Sequence, residues 1–329
     1  SFYAIGIRDE KFYGRAKETK VIDFLGKKKI FFILSAVVII AGFVTMGVHK
    51  GNGGDALNYS LEFKGGTSTS VEFNEDMSIE ELDEKVVPII EEISKDANVQ
   101  TQKVQGSNQV IFKSATLDVS QREELNSRLE EEFGVDPEKI TAETISSTIS
   151  SEMRTGAVSA VVVSTVLMLL YVWFRFKDVR FGASSVAALV HDVLVVLAFY
   201  AAARVSVGNT FIACMLTIVG YSINATIVIF DRIRENMTSY KTKEELAAIV
   251  NRSISQTLSR SIFTSLTTFI MVAVLYILGV SSIKEFALPL MVGIACGTYS
   301  SICLASAFWY LLRTRVGGKK AEKDKKAAK

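Results

Sequence analysis

The chain has 329 residues, 49% of them hydrophobic and 22% charged, with a positive mean hydropathy and only three prolines. Apolar runs longer than a soluble core requires exclude an ordinary soluble globular protein and indicate an integral membrane protein. The net charge of +2 hides an acidic segment, because residues 51–145 hold 21 Asp or Glu against 8 Lys or Arg, a net charge of −13 balanced by +15 elsewhere.

The first apolar run covers residues 30–48 and follows the basic residues Lys27, Lys28 and Lys29. An α-helix of that length extends about 28 Å, which matches the hydrocarbon thickness of a bilayer. The sequence therefore predicts a transmembrane helix at 30–48, preceded by a cytoplasmic N-terminal segment at 1–29.

Residues 49–150 are polar and acidic, and their apolar residues recur with the periods of both strands and helices. Ser78 and Glu81 are spaced as a capping box, and Pro88 predicts a kink in the helix that follows. A second helix is indicated by apolar residues spaced four apart within 125–133. Strands are predicted at 59–63, 69–73, 99–104, 109–113 and near Ile140, with a turn at Gly65 and Gly66. This order predicts a two-layer α+β domain of the ferredoxin-like kind, and nothing in it indicates an active site.

Five further apolar runs bring the predicted transmembrane helices to six. They cover residues 157–174, 183–203, 209–230, 262–280 and 286–312. Lys and Arg concentrate at the helix ends that share a side with Lys27, and basic residues near short loops stay in the cytoplasm. We therefore expect a bundle of six transmembrane helices, an extracytoplasmic module between helices 1 and 2, both termini cytoplasmic, and a basic cytoplasmic tail at 313–329.

A cytoplasmic amphipathic helix is predicted near 242–257, between the fourth and fifth transmembrane helices. Thr242 and Glu245 match a capping box, and apolar residues from Leu246 to Ile254 fall on one helical face. The basic and polar remainder is compatible with a helix lying along the membrane surface, or with one docked on another part of the protein.

His191 and Asp192 stand near the middle of the third apolar run, where a charged side chain costs on the order of 3 kcal/mol. Two interpretations remain open. The pair can hydrogen-bond to a neighbouring helix and only fix its packing, or one member can pass a proton, because an imidazole titrates near neutral pH.

Residues 220–236, GYSINATIVIFDRIREN, place polar residues within and after the fourth apolar run. Gly220, Asn224 and Asp231 share a helical face, since seven residues nearly complete two turns. Asn224 can hydrogen-bond across helices but carries no titrating charge. Asp231 either takes a charge role or belongs to a cytoplasmic ion cluster with the arginines that follow it.

Arg260 opens the fifth apolar run and is followed by a stripe of hydroxyl side chains as far as Thr268. Such stripes usually pack against other helices, and an arginine near the boundary can reach lipid phosphate. Gly293 and Gly297, four residues apart in the last run, predict a close helix contact. The three cysteines lack metal-ligand spacing, so neither a metal nor another cofactor is expected.

The stretch 220–236, the motif FKGGT at Phe63–Thr67 and LSRS at 258–261 together resemble the SecF family of protein-export membrane proteins. The likeness covers almost the whole chain, and a His followed by Asp also matches the family's third span. The resemblance implies an RND-like, non-enzymatic subunit of a prokaryotic cytoplasmic membrane. Its implied partners are a SecD-like subunit, the Sec translocation channel, secreted or membrane polypeptides and the lipid bilayer, with no specific nucleic acid. Its implied function is to use the proton gradient, together with SecD, in late stages of export.

One residue departs from the family pattern, because an aspartate is expected after Asn224 and the chain has Ala225. In SecF-like chains, the arginine that matches Arg260 is the expected partner of that aspartate, alternately paired and unpaired as protons pass. Ala225 cannot pair, so the chain is either a substituted variant that is impaired in proton coupling or a natural chain that works without this step. Two other functions stay open: half of an RND-type exporter of small molecules or lipids, and a membrane scaffold that transports nothing.

Overall fold

A computed structural model of the protein describes residues 21–97, 99–104, 107–237 and 242–314. Six helices within these ranges are long and apolar enough to cross a membrane, as predicted. Numbered in chain order, they are α1 Lys28–Gly51, α6 Ser147–Phe176, α7 Val179–Ala203, α8 Asn209–Asn236, α9 Lys243–Leu278 and α10 Ser281–Tyr299, which is extended to Thr314. Most of the predicted N-terminal segment and the predicted tail beyond residue 314 lie outside the described residues.

The inter-span module, residues 52–146, joins α1 to α6 and is built on one sheet. Its elements are α2 Leu61–Lys64, β1 Gly66–Glu72, α3 Ile79–Lys85, α4 Val87–Ser94, β2 Gln100–Lys103, β3 Gln109–Ser114, α5 Val119–Phe133 and β4 Ile140–Ile145. The strands lie in the order β2-β3-β1-β4, and each neighbouring pair is antiparallel. Apolar residues of the helices and the sheet share one core that includes Val71, Leu82, Phe112 and Leu129.

The first long helix of the module begins and breaks where the sequence predicts. Ser78 Oγ accepts a hydrogen bond from the Glu81 amide at 3.2 Å, and the Ser78 amide donates to the Glu81 carboxylate at 3.0 Å, so the capping box is present. The predicted kink is a complete break, because Val86 separates α3 from α4 and Pro88 lies in the first turn of α4. Proline is tolerated there because the first amides of a helix have no partner within it.

The predicted strand at 59–63 is wrong, because the chain forms the short helix α2 there. The amides of Phe63 and Lys64 both donate to the Ser60 carbonyl at 3.0 Å and close a helical turn. Phe63 is buried in an apolar cluster with residues of α6, α7 and α8 rather than in the core of the module. The apolar alternation that resembles a strand therefore anchors the module on the transmembrane bundle.

The predicted amphipathic helix is present but is not separate, since α9 runs for 36 residues from this segment into the fifth span without a break. Thr242 Oγ1 accepts a hydrogen bond from the Glu245 amide at 3.1 Å and caps the helix. Leu246, Val250 and Ile254 are buried in a cluster with residues of α7, α8 and the extension of α10. This face is therefore docked on the bundle.

Gly66 is the position in the FKGGT motif at which a side chain is least tolerated. Its φ is +121°, and a Cβ there would overlap the Ser114 carbonyl oxygen of β3. We expect Gly66→Ala to destabilise the module by about 3 kcal/mol, because backbone strain of this kind alone costs about 1–3 kcal/mol. Gly53→Ala is the matched control, since Gly53 also has a positive φ, +83°, but has nothing within 4 Å of its Cβ position. Protease resistance of the module in the detergent-solubilised chain measures the difference, and equal resistance of the two variants would contradict it.

Candidate functional site

Asp192 lies in α7 and is completely buried at the centre of a cluster of polar side chains. One carboxylate oxygen accepts hydrogen bonds from Ser222 Oγ of α8 at 2.5 Å and from Ser300 Oγ at 2.8 Å. The other oxygen lies 3.3 Å from Cys296 Sγ of α10 and 3.0 Å from His191 Nδ1. We call these five residues the Asp192 cluster. They bring three transmembrane helices together around one carboxylate.

Glycines on α10 allow α8 to come close enough for this geometry. A Cβ at Gly297 would lie 3.1 Å from the Ser222 Cβ, and one at Gly293 would overlap the Ile218 side chain. The predicted close contact of Gly293 and Gly297 is therefore made within the chain, between α10 and α8. It places Ser222 beside Asp192.

A π-helical segment, Ser300–Ala305, follows α10 and turns two successive serines toward α7 and α8. Ser300 bonds to Asp192, while Ser301 Oγ donates to the Ser222 carbonyl at 3.2 Å and lies 2.9 Å from Thr226 Oγ1. In an ordinary α-helix, neighbouring residues point about 100° apart, so the wider π turn helps both to face inward. Short π segments of this kind often occur at functional sites.

Asp192 is the only buried carboxylate among the residues that the structure describes. A buried charge away from water is costly unless it is hydrogen-bonded, and the hydroxyl groups of Ser222 and Ser300 supply two such bonds. His191 is 8% exposed and lines an apolar cavity of about 470 Å³ together with residues of α1, α9 and α10. The cluster therefore brings a buried acid and an imidazole to the edge of an apolar pocket that opens beside α1.

His191, Asp192 and Cys296 place a nitrogen, an oxygen and a sulfur atom within 4.8 Å of one another. These donor types can bind zinc, but a metal-bound histidine normally donates its second ring N–H to an acceptor. Nε2 of His191 is buried and has no partner among the described residues. The donors are engaged with each other instead, so the geometry fits a hydrogen-bonded cluster better than a metal centre.

The other predicted ion-relay residues lie away from this cluster. Asn224 and Arg260 are exposed on α8 and α9, and Ala225 is half-buried. No hydrogen bond or ion pair of the Arg260 guanidinium is found within the described ranges. Asp231 forms an ion pair with Arg175 of α6 at 2.9 Å, rather than with the arginines that follow it in sequence. Asn224 and Asp231, which the sequence places on one face of the fourth helix, therefore lie in different surroundings in the folded chain.

The predicted hydroxyl stripe on α9 contributes to packing at one position. Thr298 of α10 donates a hydrogen bond to Ser265 Oγ at 2.6 Å and so links the two helices. Thr268 Oγ1, by contrast, donates to the Thr264 carbonyl of its own helix at 3.0 Å. The stripe is therefore partly an interhelical contact and partly satisfied within α9.

The FKGGT motif forms the junction between the module and the bundle. Phe63 is buried against the transmembrane helices, and Lys64 forms an ion pair with Asp55 at 3.0 Å. Gly65 and Gly66 both have positive φ and join α2 to β1. Thr67 Oγ1 accepts a hydrogen bond from the Leu117 amide at 2.8 Å inside the module. The motif is thus a structural connector in this geometry.

The sequence predicted His191 and Asp192 as site residues, but it indicated no role for Ser300 and no metal-ligand spacing for Cys296. A signal existed in the last apolar run, where Cys296 and Ser300 are four residues apart and lie next to the glycine pair. Residues at that spacing share a helical face. What the sequence did not provide was the helix against which this face packs.

Comparison with known proteins shows where the similarity lies. A family model described as protein export membrane protein SecD/SecF, C-terminal, matches residues 125–315. The protein translocase subunit SecF of Sebaldella termitidis is 36% identical over 307 residues, which cover 93% of this chain and 96% of that protein. Protein translocase subunit SecDF of Bacillus subtilis is 34% identical over 298 residues, which cover 89% of this chain and 38% of that protein.

A solved structure shares the fold as well as the sequence. It is the crystal structure of SecDF, a translocon-associated membrane protein, from Thermus thermophilus, with a TM-score of 0.75 and 34% identity. The match covers 92% of this chain and 40% of that chain. The likeness thus includes the module and the bundle, and this chain spans well under half of the SecDF proteins.

Proposed function

Because the chain belongs to the SecF family of protein-export membrane proteins, we propose that it uses the proton gradient, with a SecD-like subunit, to promote late stages of polypeptide export. Its place as an accessory subunit of the Sec translocase follows from the SecF relatives. The observation that carries the proposal is the buried carboxylate of Asp192 in α7, which accepts hydrogen bonds from Ser222 of α8 and from Ser300 of the π segment that follows α10. The module engages and releases the polypeptide on the outer side of the cytoplasmic membrane.

A SecD-like partner covers the outer face of α8 and α9. Asn224 and Thr264 are exposed there within the spans, and Arg260 is exposed where the fifth span begins. Lipid offers such polar groups no hydrogen-bond partners, so they are favourable only where another protein surface lies against them. The match with this chain covers only 38% and 40% of the two SecDF proteins. The rest of each SecDF chain is long enough to supply such a partner.

The module lies on the extracytoplasmic side and both termini lie in the cytoplasm. Ion pairs at one end of the bundle join Arg175 to Asp231 at 2.9 Å and Arg313 to Asp178 at 3.3 Å, so the basic helix ends gather on one side. Basic residues near short loops favour the cytoplasm. The strand order β2-β3-β1-β4, with helices after β1 and β3, supports a ferredoxin-like domain.

The proton step runs through the Asp192 cluster in this chain. Ala225 offers no carboxylate to Arg260, whereas Asp192 and His191 lie 3.0 Å apart and can hold an exchangeable proton. Protonation removes the charge that orients the hydroxyl donors of α8 and of the π segment. Moving one charge across a potential of 100 mV supplies about 2.3 kcal/mol, which is enough to shift the equilibrium between two positions of a domain.

Ala225→Asp tests this route. If the Asp192 cluster suffices, a carboxylate at position 225 changes gradient-dependent secretion by less than about twofold, equivalent to under half a kcal/mol. Ala225→Asn is the matched control, because it adds similar bulk without a charge. Secretion of a reporter protein is measured with and without a proton gradient, at equal levels of folded protein. A large gain with Asp and none with Asn would show that the missing aspartate, and not the cluster, limits coupling.

A further inference from the structure

A set of short hydrogen bonds ties the start of the module to the loop between α7 and α8. The Ser60 amide donates to the Val207 carbonyl at 3.0 Å, and the Val207 amide donates to the Asn58 carbonyl at 2.7 Å. Further bonds join the Asn58 side chain to the Arg204 carbonyl at 2.8 Å, Arg204 Nη1 to the Asp55 carbonyl at 2.9 Å, and the Asn209 amide to the Glu62 carboxylate at 2.7 Å. We call this connection, between residues 55–62 and 204–209, the strap.

A second and weaker contact joins the sheet of the module to the start of α10. Gln102 Nε2 of β2 donates to Glu285 Oε1 at 3.4 Å, near the limit for a hydrogen bond. Lys113 Nζ of β3 donates to Gln102 Oε1 at 3.2 Å. Burial lowers the pKa of Lys113, and the nearby Glu285 carboxylate opposes that shift. We call these three residues the Glu285 contact.

The two connections differ in strength. Five hydrogen bonds of 2.7 to 3.0 Å hold the strap, and two of them join main-chain groups on both sides. The Glu285 contact across the module boundary has one long bond and one attraction between partly exposed charges. Ordinary hydrogen bonds contribute similar, modest free energies and exposed charge pairs contribute less, so the five bonds of the strap outweigh this contact. A rotation of the module would open the Glu285 contact and keep the strap.

The Glu285 contact and the Asp192 cluster are on the same helix. Glu285 lies in the second turn of α10, while Cys296 lies near its end and Ser300 directly follows it. The eleven residues from Glu285 to Cys296 span about 17 Å of helix. Pro289 lies between them and removes one backbone hydrogen bond, which provides a point at which the helix can bend.

We propose that the module pivots on the strap, that the Glu285 contact is a releasable latch, and that α10 links this latch to the Asp192 cluster. This inference rests on the proposed proton step at Asp192. Loss of the carboxylate charge frees Ser300 and Cys296, α10 shifts, and Glu285 leaves Gln102 and Lys113. Glu285 is a positioning residue in this mechanism, since it acts on the module through β2 and β3.

Crosslinking of the latch tests the inference in spheroplasts that depend on this chain and its SecD-like partner for secretion. Gln102→Cys is combined with Glu285→Cys, and a membrane-impermeant bis-maleimide added outside joins the two thiols when they are close. The native cysteines all lie within the spans and are retained. A second pair, Asp55→Cys with Arg204→Cys, reports on the strap as the matched control.

We expect the latch pair to crosslink several-fold more slowly when a proton gradient is present, whereas the strap pair reacts at one rate in both conditions. In the background of Asp192→Asn, the latch pair loses its response to the gradient. Once crosslinked, the latch pair stops gradient-dependent secretion, and the strap pair leaves it intact. A fixed distance between β2 and α10 would not produce a gradient-dependent rate.

Three results would overturn the inference, and they separate it from the proposed function. If secretion responds to the gradient but the latch rate does not, only the latch is wrong. If secretion by the unmodified chain ignores the gradient, the proposed function fails and the inference fails with it. If neither pair reacts until the spheroplasts are lysed, the module is cytoplasmic, and both the topology and the inference are wrong.

Discussion

Asp192→Asn is expected to reduce gradient-dependent secretion to the rate seen without a gradient. The asparagine keeps the shape of the side chain but cannot carry the charge that Ser222 and Ser300 stabilise. Loss of one charge moving through 100 mV removes about 2.3 kcal/mol, which corresponds to roughly fortyfold in an equilibrium. Secretion of a reporter protein from vesicles with and without an imposed gradient measures the effect.

Asp231→Asn is the matched control for this substitution. Asp231 is also an aspartate of a long apolar helix, but it pairs with Arg175, its side chain is 33% exposed and it lies near the end of α8. Exposed ion pairs contribute about 0–1 kcal/mol, so this variant is expected to secrete normally.

Ser222→Ala removes one hydrogen-bond donor to Asp192 and keeps the Asp192 charge, so we expect gradient-dependent secretion between that of the parent chain and that of Asp192→Asn. Full gradient dependence in a well-folded Asp192→Asn chain would show that the cluster only fixes packing.

Gly42→Val is expected to separate α1 from α7 and to destabilise the bundle by about 3 kcal/mol, the upper range for an overpacked contact. A Cβ at Gly42 would overlap the Ala198 side chain and would lie 2.7 Å from the Ala198 Cα, a backbone atom that no rotamer change can move. Small residues at such crossings let membrane helices approach closely. The thermal stability of the detergent-solubilised chain, followed by size-exclusion chromatography, measures the loss.

Gly47→Val provides the control on the same helix, because nothing lies within 4 Å of the Cβ position of Gly47. Both variants add the same side chain to α1 and change its helical propensity alike. We expect the control to stay within about 0.5 kcal/mol of the parent chain, as is usual for a surface position. Equal stability of the two variants would mean that α1 does not contact α7 at Gly42 in the membrane.

The transmembrane helices could be predicted almost completely, because a bilayer admits only long apolar helices with internally satisfied backbones in this kind of chain. The capping box at Ser78 and the interruption of the helix at Pro88 could also be predicted, because both depend on residues that are close in sequence. The strand predicted at 59–63 failed for a different reason. Its apolar residues pack on the transmembrane bundle, and periodicity alone does not tell which surface an alternating run will meet.

The contact of Gly42 with Ala198 was not predicted either. Gly42 has no second small residue four positions away that would mark a packing face, as Gly297 does for Gly293. Whether an isolated glycine lies at a helix–helix contact depends on the partner helix. Here the partner residue, Ala198 of α7, is 156 residues further along the chain than Gly42. The same limit separated Arg260 and Asn224 from the buried cluster, since both are exposed.

By itself, the sequence determined six helices long and apolar enough to cross a membrane, an acidic α+β module, and the place of His191 and Asp192 near the middle of the third of these helices. Each of these features depends on local composition and residue spacing, so it can be recognised within a single continuous segment of the sequence. Only the tertiary structure decided that Ser222, Cys296 and Ser300 surround Asp192 while Arg260 does not. The physical reason is that a buried carboxylate takes its hydrogen-bond partners from whichever helices pack against it, and that packing is set by shape across distant parts of the chain.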